Sequence, residues 1–217
     1  EKILKNFTQS TGYQFSYFAK ANTKYDIVCL NKNKPQTSES FKNGFWHTAA
    51  INIFKTNEIG EVAIIFIHLN PKTETDRVVE IKNLLNILKP YQQAIIMGDF
   101  NSLSPHDQYD HDQLMTDLKN KNITKFGSGQ ILFDAIKTIE SAGFVDCAAN
   151  RNNFAYTVPT PANDDPAHAT PLRIDYAFIT SNLLPFVKNI ITKNGGGFDR
   201  ASDHFPLVLD MNFTVKK

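Results

Sequence analysis

The apolar run Ala94 to Met97 ends at Gly98-Asp99-Phe100-Asn101, so a carboxylate and an amide are delivered where a strand gives way to a loop. Farther on, Arg173-Ile174-Asp175-Tyr176 shows the alternation of a half-buried strand, and Ser202-Asp203-His204 stands just before the last apolar run. Taken singly, each has a plain structural explanation. Asp99 and Asn101 suit an Asx turn, Asp203 a strand-end cap, His204 a surface histidine, and Arg173 with Asp175 an ion pair on one strand face. Together they form a chemical set: carboxylates that could hold a divalent cation and activate water, an imidazole, and a further carboxylate to orient that imidazole. The set suits hydrolysis in which water, not a serine or cysteine, is the nucleophile.

The chain has 217 residues, enough for one large core, and a single domain is expected over residues 1–217. A hydrophobic fraction of 41% and a charged fraction of 21% exclude disorder, collagen and coiled coil. A net charge of +1, with lysines scattered rather than blocked, gives no broad electrostatic footprint for nucleic acid, while a local basic groove stays open. The two cysteines, Cys29 and Cys147, fall in apolar segments and read as buried free thiols. No apolar run reaches the roughly 18 residues of a spanning helix, so no transmembrane segment is expected.

Periodicity supplies the elements that must position these residues. Phe45 to Ile53 alternates, with Phe45, His47, Ala49, Ile51 and Ile53 on one face; Val62 to Leu69 is apolar until His68, and Asn57-Glu58-Ile59-Gly60 between them predicts a hairpin. Val78, Ile81, Leu84, Leu85 and Leu88 predict a helix over Thr73 to Leu88, with further helices at Ile131 to Ser141 and Glu1 to Thr11. Other strands are expected at Tyr25 to Leu30, Phe144 to Cys147, Leu172 to Ile179, Phe186 to Ile191 and Pro206 to Phe213. Many strands with helices between them predict sheets packed face to face and covered by helices. Ser102 to Met115 and Pro159 to Pro171 read as loops bordering a cleft. Their His106, Asp107, Asp110, His111, Asp112, Asp164, Asp165 and His168 fit solvated loop surface better than a second metal site.

GDFN at Gly98 to Asn101, RIDY at Arg173 to Tyr176 and SDH at Ser202 to His204 resemble the signature blocks of the endonuclease/exonuclease/phosphatase superfamily, which includes deoxyribonucleases, apurinic endonucleases, sphingomyelinases and inositol 5-phosphatases. Phe66-Ile67-His68-Leu69 with Arg77, and Tyr156-Thr157-Val158-Pro159-Thr160-Pro161, extend the likeness to about Gly12 to Phe213. The resemblance implies an α/β (α+β) fold, a four-layer α/β/β/α sandwich of two packed, mainly antiparallel sheets. It implies a Mg²⁺-dependent phosphoesterase, with Mn²⁺ as an alternative cation, acting on nucleic acid or on a small or lipid phosphodiester. By the same resemblance Asp99 orients or deprotonates water, Asn101 holds a phosphate oxygen or that water, and Asp203 and Asp99 serve the metal. His204 contacts the scissile phosphate, Asp175 fixes its tautomer, and His68 joins the catalytic group, as in the deoxyribonuclease, sphingomyelinase and 5-phosphatase branches. One departure stands out: the family's Gln-Glu block, whose Glu is the principal Mg²⁺ ligand, has no counterpart here, and residue 1 is expected to lie after it. Hence the alternative of a non-catalytic binding module that keeps the fold without full metal ligation.

Overall fold

Most strand-forming runs bounded by turn residues fold here as the sequence pattern predicts, with the ends shifted by a few residues, and two further strands, Phe15–Ala19 and Thr37–Phe41, lie where none is expected. A computed structural model describes residues 8, 10–168 and 170–215. Among them are ten strands: β1 (Phe15–Ala19), β2 (Ile27–Asn31), β3 (Thr37–Phe41), β4 (Ala49–Lys55), β5 (Glu61–His68), β6 (Ala94–Asp99), β7 (Phe144–Asp146), β8 (Asp175–Thr180), β9 (Val187–Thr192) and β10 (Leu207–Met211). The helices are α1 (Glu74–Leu88), α2 (His111–Asn120), α3 (Asp134–Ser141) and the single turn α4 (Cys147–Asn150). The helix expected at Glu1 to Thr11 falls largely outside the described residues.

A six-stranded sheet in the order β3-β4-β5-β6-β8-β7 forms the centre. Its pairs are antiparallel except β5 with β6, a parallel pair that needs a crossover, which α1 supplies. Side chains alternate between faces. Ala63, Ile65, Ile67, Ala94, Ile96, Tyr176 and Phe178 meet Ile81, Leu84 and Leu88 of α1 and Ala135, Ile136 and Ile139 of α3 in one core. The opposite set, Val62, Ile95, Ala177 and Ile179, packs against Val187 and Ile190 of β9 with Leu207 and Leu209 of β10. Beside it, Tyr17, Ala19, Ile27 and Cys29 of the β1-β2 ladder cover Ala50 and Phe66. The layer facing the central sheet is thus two antiparallel ladders, β1-β2 and β9-β10. This is the multiply packed α/β arrangement expected from the sequence. Cys29 and Cys147 are both free and buried, as predicted.

Several details differ from the pattern. The expected apolar stripe on α1 is apolar only in its second half, because Glu74, Arg77 and Glu80 are buried alongside Ile81, Leu84 and Leu88. These charged groups are held by partners: Arg77 Nε donates to Glu74 Oε2 at 3.0 Å and Nη1 to the Asn70 carbonyl at 3.0 Å. Glu74 also accepts from Ser102 Oγ and from the Ala135 N–H at the start of α3, and Glu80 accepts from the Asn70 N–H. Buried charges are tolerated where such bonds replace water, and here they tie α1 to the loops after β5 and β6. The segment Ser102 to Met115 is not all loop. Asp110 caps α2 through the Gln113 N–H, and Leu114 and Leu118 bury one face. Arg173 does not share a strand face with Asp175, since β8 begins only at Asp175.

Gly98 explains how β6 ends. Its φ is +140°, and a Cβ there would meet the Ile67 carbonyl oxygen at 1.9 Å, backbone against backbone. Gly98→Ala is expected to lower stability by roughly 2–4 kcal/mol through backbone strain and overpacking. Chemical denaturation measures this, and a loss below about 0.5 kcal/mol would show the β5–β6 approach to be soft.

Candidate active site

Register brings the chemistry together. His68 is the β-partner of Asp99 across β5 and β6, and Asp99 is the partner of Asp175 across β6 and β8. Three adjacent central strands therefore end at one level with a polar side chain each. By alternation these side chains belong to the face that carries Val62, Ile95 and Ala177, toward the two ladders. His204 comes from the loop before β10, in the opposing layer.

His204 Nδ1 lies 2.7 Å from Asp175 Oδ2. Burial opposes a charge on this imidazole, but the Asp175 hydrogen bond and the charges of Asp175, Asp99 and Asp203 outweigh it and raise the pKa to about 9. His204 is thus an imidazolium at neutral pH, with Nδ1 committed and Nε2 free. The segment matched in the sequence as Tyr156 to Pro161 is the brace that sets this pair. Thr157 Oγ1 accepts from the N–H groups of Ile174 and Asp175, the Thr157 carbonyl accepts from Phe205 N–H, and Thr160 Oγ1 donates to the Ser202 carbonyl.

Asp99 does form the Asx turn that the plain reading foresees: its Oδ1 accepts from the Asn101 N–H at 2.7 Å, and Asn101 has a φ of +49°. Its other oxygen still faces the cavity side, 3.3 Å from His68 Nε2. The Asn101 amide is engaged on all sides, Nδ2 donating to the Leu69 carbonyl and to Asp99 Oδ2, Oδ1 accepting from Lys125 Nζ at 2.9 Å. Asp203 accepts from Ser202 Oγ and is held below the usual carboxylate range, since the His204 charge and the Ser202 bond outweigh the opposing effect of burial.

Tyr25, His68, Asp99, Lys125, His168, Asp203 and His204 are among the residues lining one cavity of about 290 Å³. Asp175 stands behind His204 and opens on an adjoining space beside Phe66, Met97 and Leu207. A larger cavity of about 490 Å³ between β3 and α1 is lined by Ser40, Lys42, Asn83 and Asn86 and gathers no acid–base pair, so chemistry rather than size locates the site. Every site residue picked from the sequence is therefore at this cavity or directly behind it.

The sequence matches the Endonuclease/Exonuclease/phosphatase family over residues 27–204. The chain belongs to this family. Among solved structures, this family member is similar to a 3′ phosphatase from Neisseria solved with a product DNA hairpin, at 13% identity and a TM-score of 0.69, covering 95% of this chain and 82% of that one. An AP endonuclease from Archaeoglobus fulgidus matches at 16% identity and a TM-score of 0.65, covering 94% and 81%. A mannosyl-6-phosphatase from Bacteroides thetaiotaomicron matches at 15% and 0.60, covering 97% and 81%. No curated protein matches the sequence. The family and these neighbours act on phosphoesters, and the low identities carry the fold alone to this chain.

Three residues of this family member's cavity escaped the motif reading. Lys125 sits among scattered lysines, yet its ammonium is partly buried against Asn101, and its carbonyl accepts from Arg77. Burial lowers its pKa, with Arg77 adding to the effect and Asp99, Asp165 and Asp175 opposing it. His168, which in the sequence fits solvated loop surface better than a second metal site, is 5% exposed and faces Asp203. Of the other loop residues, Asp165 lines the same cavity, while His106 pairs with Glu140, Asp107 with Arg173, and Asp110 caps α2. His47, whose side of the strand pattern was expected to be apolar, stacks on His68 with centroids 4.2 Å apart and bonds Thr23 through Nδ1.

His47 is 1% exposed, and burial, aided by the nearby His68 charge and opposed by Asp99, lowers its pKa to about 4. A depressed histidine pKa stabilises the fold above the unfolded value of about 6.5 and loses that contribution as pH falls toward 4, a swing of about 3 kcal/mol. Stability curves between pH 7.5 and 4 should show this acid loss in the parent and a flatter limb in His47→Gln. Parallel curves would refute a neutral buried His47.

Proposed function

We propose that the chain hydrolyses a phosphoester by in-line attack of water in the cavity between β6, β8 and the loop before β10, with Mg²⁺ as cofactor and Mn²⁺ as substitute. One observation supports this reading above the rest: a carboxylate, Asp99, and a charged imidazole, His204, open on the same small cavity from opposed layers. The donor set fits a hard cation. The Asp203 side chain is 40% exposed and Asp99 lines the same cavity, which matches a cation that takes one or two carboxylates, keeps water and completes its shell with phosphate oxygens. When bound, Mg²⁺ would polarise the phosphoryl oxygens and acidify water.

The chain's own residues do the rest. Asp99, steadied by Asn101 and beside His68, orients the water and takes its proton. The Nε2–H of His204 and the Lys125 ammonium donate to phosphoryl oxygens as charge builds, in positions set before reaction. Asp175 and Asn101 are positioning residues, acting through His204 and through Asp99 and Lys125. The binding-module alternative loses force because a scaffold has no need of this charged pair. A substrate carrying a phosphate on a nucleic-acid end or a sugar suits a cavity of this size.

The test is hydrolysis of a panel comprising bis-p-nitrophenyl phosphate, a 3′-phosphorylated DNA end, sphingomyelin and sugar phosphates, with Mg²⁺ and then with EDTA. Turnover with Mg²⁺ and none in EDTA is expected; equal rates in EDTA would exclude the metal, and no turnover of any substrate would favour the module. Lys125→Met should lower kcat/KM by about 10²-fold while costing only about 1–3 kcal/mol of stability, the effect of leaving the buried Asn101 Oδ1 unpaired.

A further inference from the structure

His168 poses a problem that the proposed phosphoester chemistry does not solve. It ends the short turn Pro166–His168, is 5% exposed, and its Nδ1 has no hydrogen-bond partner. A buried polar atom left unpaired costs about 1–3 kcal/mol, so such an atom calls for a ligand. Its surroundings say which. Asp203 Oδ2 lies 3.7 Å from that nitrogen, and the His204 ring stands edge-on to the His168 ring with centroids 4.9 Å apart. One ligating atom from each of His168, Asp203 and His204 falls within 4.8 Å of the others. His204 Nδ1 is taken by Asp175, so Nε2 is the nitrogen it offers, and a carboxylate behind a histidine is how metal-binding imidazoles are commonly oriented.

We propose that His168, Asp203 and His204 form a site for a divalent transition-metal ion of the zinc class, distinct from the Mg²⁺ position at Asp99 and Asp203. Two imidazole nitrogens and one carboxylate make a three-ligand set with open positions, which suits zinc or cobalt(II), whereas Mg²⁺ prefers oxygen ligands and holds its water. The consequence rests on the proposed function. An ion at His204 Nε2 displaces that nitrogen's proton to solvent, which removes the donor meant for the phosphate, and draws Asp203 away, so zinc binding and Mg²⁺-supported turnover exclude each other.

The test uses the full chain stripped of metal. Titration with zinc should show one ion per chain, and cobalt(II) should give the visible spectrum of a low-coordinate nitrogen-bearing site. His168→Ala should weaken zinc binding at least about 100-fold, while His111→Ala, which removes an exposed histidine, should not. In the unsubstituted chain, zinc should shift the imidazole nitrogen resonances of His168 and His204 and spare His111, which keeps the question open to refutation even if His168→Ala folds poorly. Zinc binding unchanged in a folded His168→Ala, or zinc shifts absent from His168, overturns the site. Zinc should also inhibit Mg²⁺-supported hydrolysis in the parent and not in His168→Ala. A chain that binds zinc as described but hydrolyses nothing would refute the phosphoesterase reading and leave the metal site standing.

Discussion

Replacing His204 by alanine is expected to cut Mg²⁺-supported phosphoester turnover by about 10³-fold, the largest single effect on activity in the chain. The estimate follows from where the charge sits. Asp175 at 2.7 Å keeps the imidazole protonated at neutral pH and fixes Nδ1, so the proton on Nε2 is already in place when negative charge builds on the phosphoryl oxygens. The same raised pKa makes His204 a stability element. A histidine at about 9 when folded and about 6.5 when unfolded contributes up to about 3 kcal/mol below pH 6.5, and loses it as pH rises through 9. In EDTA, the stability gap between parent and His204→Ala should therefore be widest in acid and close above pH 9, opposite in sense to His47. Asp175→Asn separates the two roles: it keeps an acceptor for Nδ1 but removes the charge, so the His204 pKa should fall and the alkaline limb of the activity profile should move to lower pH. If His204→Ala retains a tenth or more of parental kcat while folded, the imidazolium is not the charge-stabilising group.

The opposite signs at His47 and His204 show what a sequence can and cannot carry. Both are histidines beside apolar runs, and nothing in their local sequence sets the opposite directions of their shifts. What does is register: His204 meets a carboxylate on a strand far away in sequence, while His47 meets a second histidine and Thr23. Asp99, Asp175 and His204 were legible because strand ends and a recurring set of short blocks mark them. Lys125 was not, because its role depends on Arg77 of α1 holding its backbone while Asn101 accepts from its ammonium, contacts that no spacing rule encodes. The fold shows the same division. Strongly apolar strands such as β5 and β6 were plain, whereas β1 and β3 were passed over, and α2 was hidden because only Leu114 and Leu118 of its residues are buried. That the layer facing the central sheet consists of two separate ladders depends on long-range pairing, to which periodicity is blind.

Arg173 is where stability and site meet, and Arg173→Met is expected to cost about 3–5 kcal/mol. Its guanidinium is 2% exposed, donates from Nε to Asp107 at 2.8 Å and from Nη1 to Asp146 at 2.8 Å, and lies over the Tyr176 ring at 4.4 Å. Asp107 and Asp146 are themselves 6% and 3% exposed, so a methionine of similar length fills the space but leaves two buried carboxylates facing no cation. That orphaned charge, rather than lost packing, is the expected source of the damage. Lysine should rescue poorly, because one ammonium cannot bridge two carboxylates in the planar geometry a guanidinium allows. Neutralising the partners should rescue better: Arg173→Met combined with Asp107→Asn and Asp146→Asn is expected to recover a large part of the loss, with an asparagine still able to cap α4 where Asp146 Oδ1 now accepts from Ala148. The damage should also reach the cavity. The Arg173 carbonyl accepts from Tyr176 OH at 2.8 Å, and the next residue's carbonyl accepts from Phe100, so the chain that sets Asp175 and Asp99 is fastened at this point. Urea midpoints with an unchanged m-value would measure the loss, and the charge explanation fails if Arg173→Met loses under about 1 kcal/mol or if the triple variant is less stable than the single.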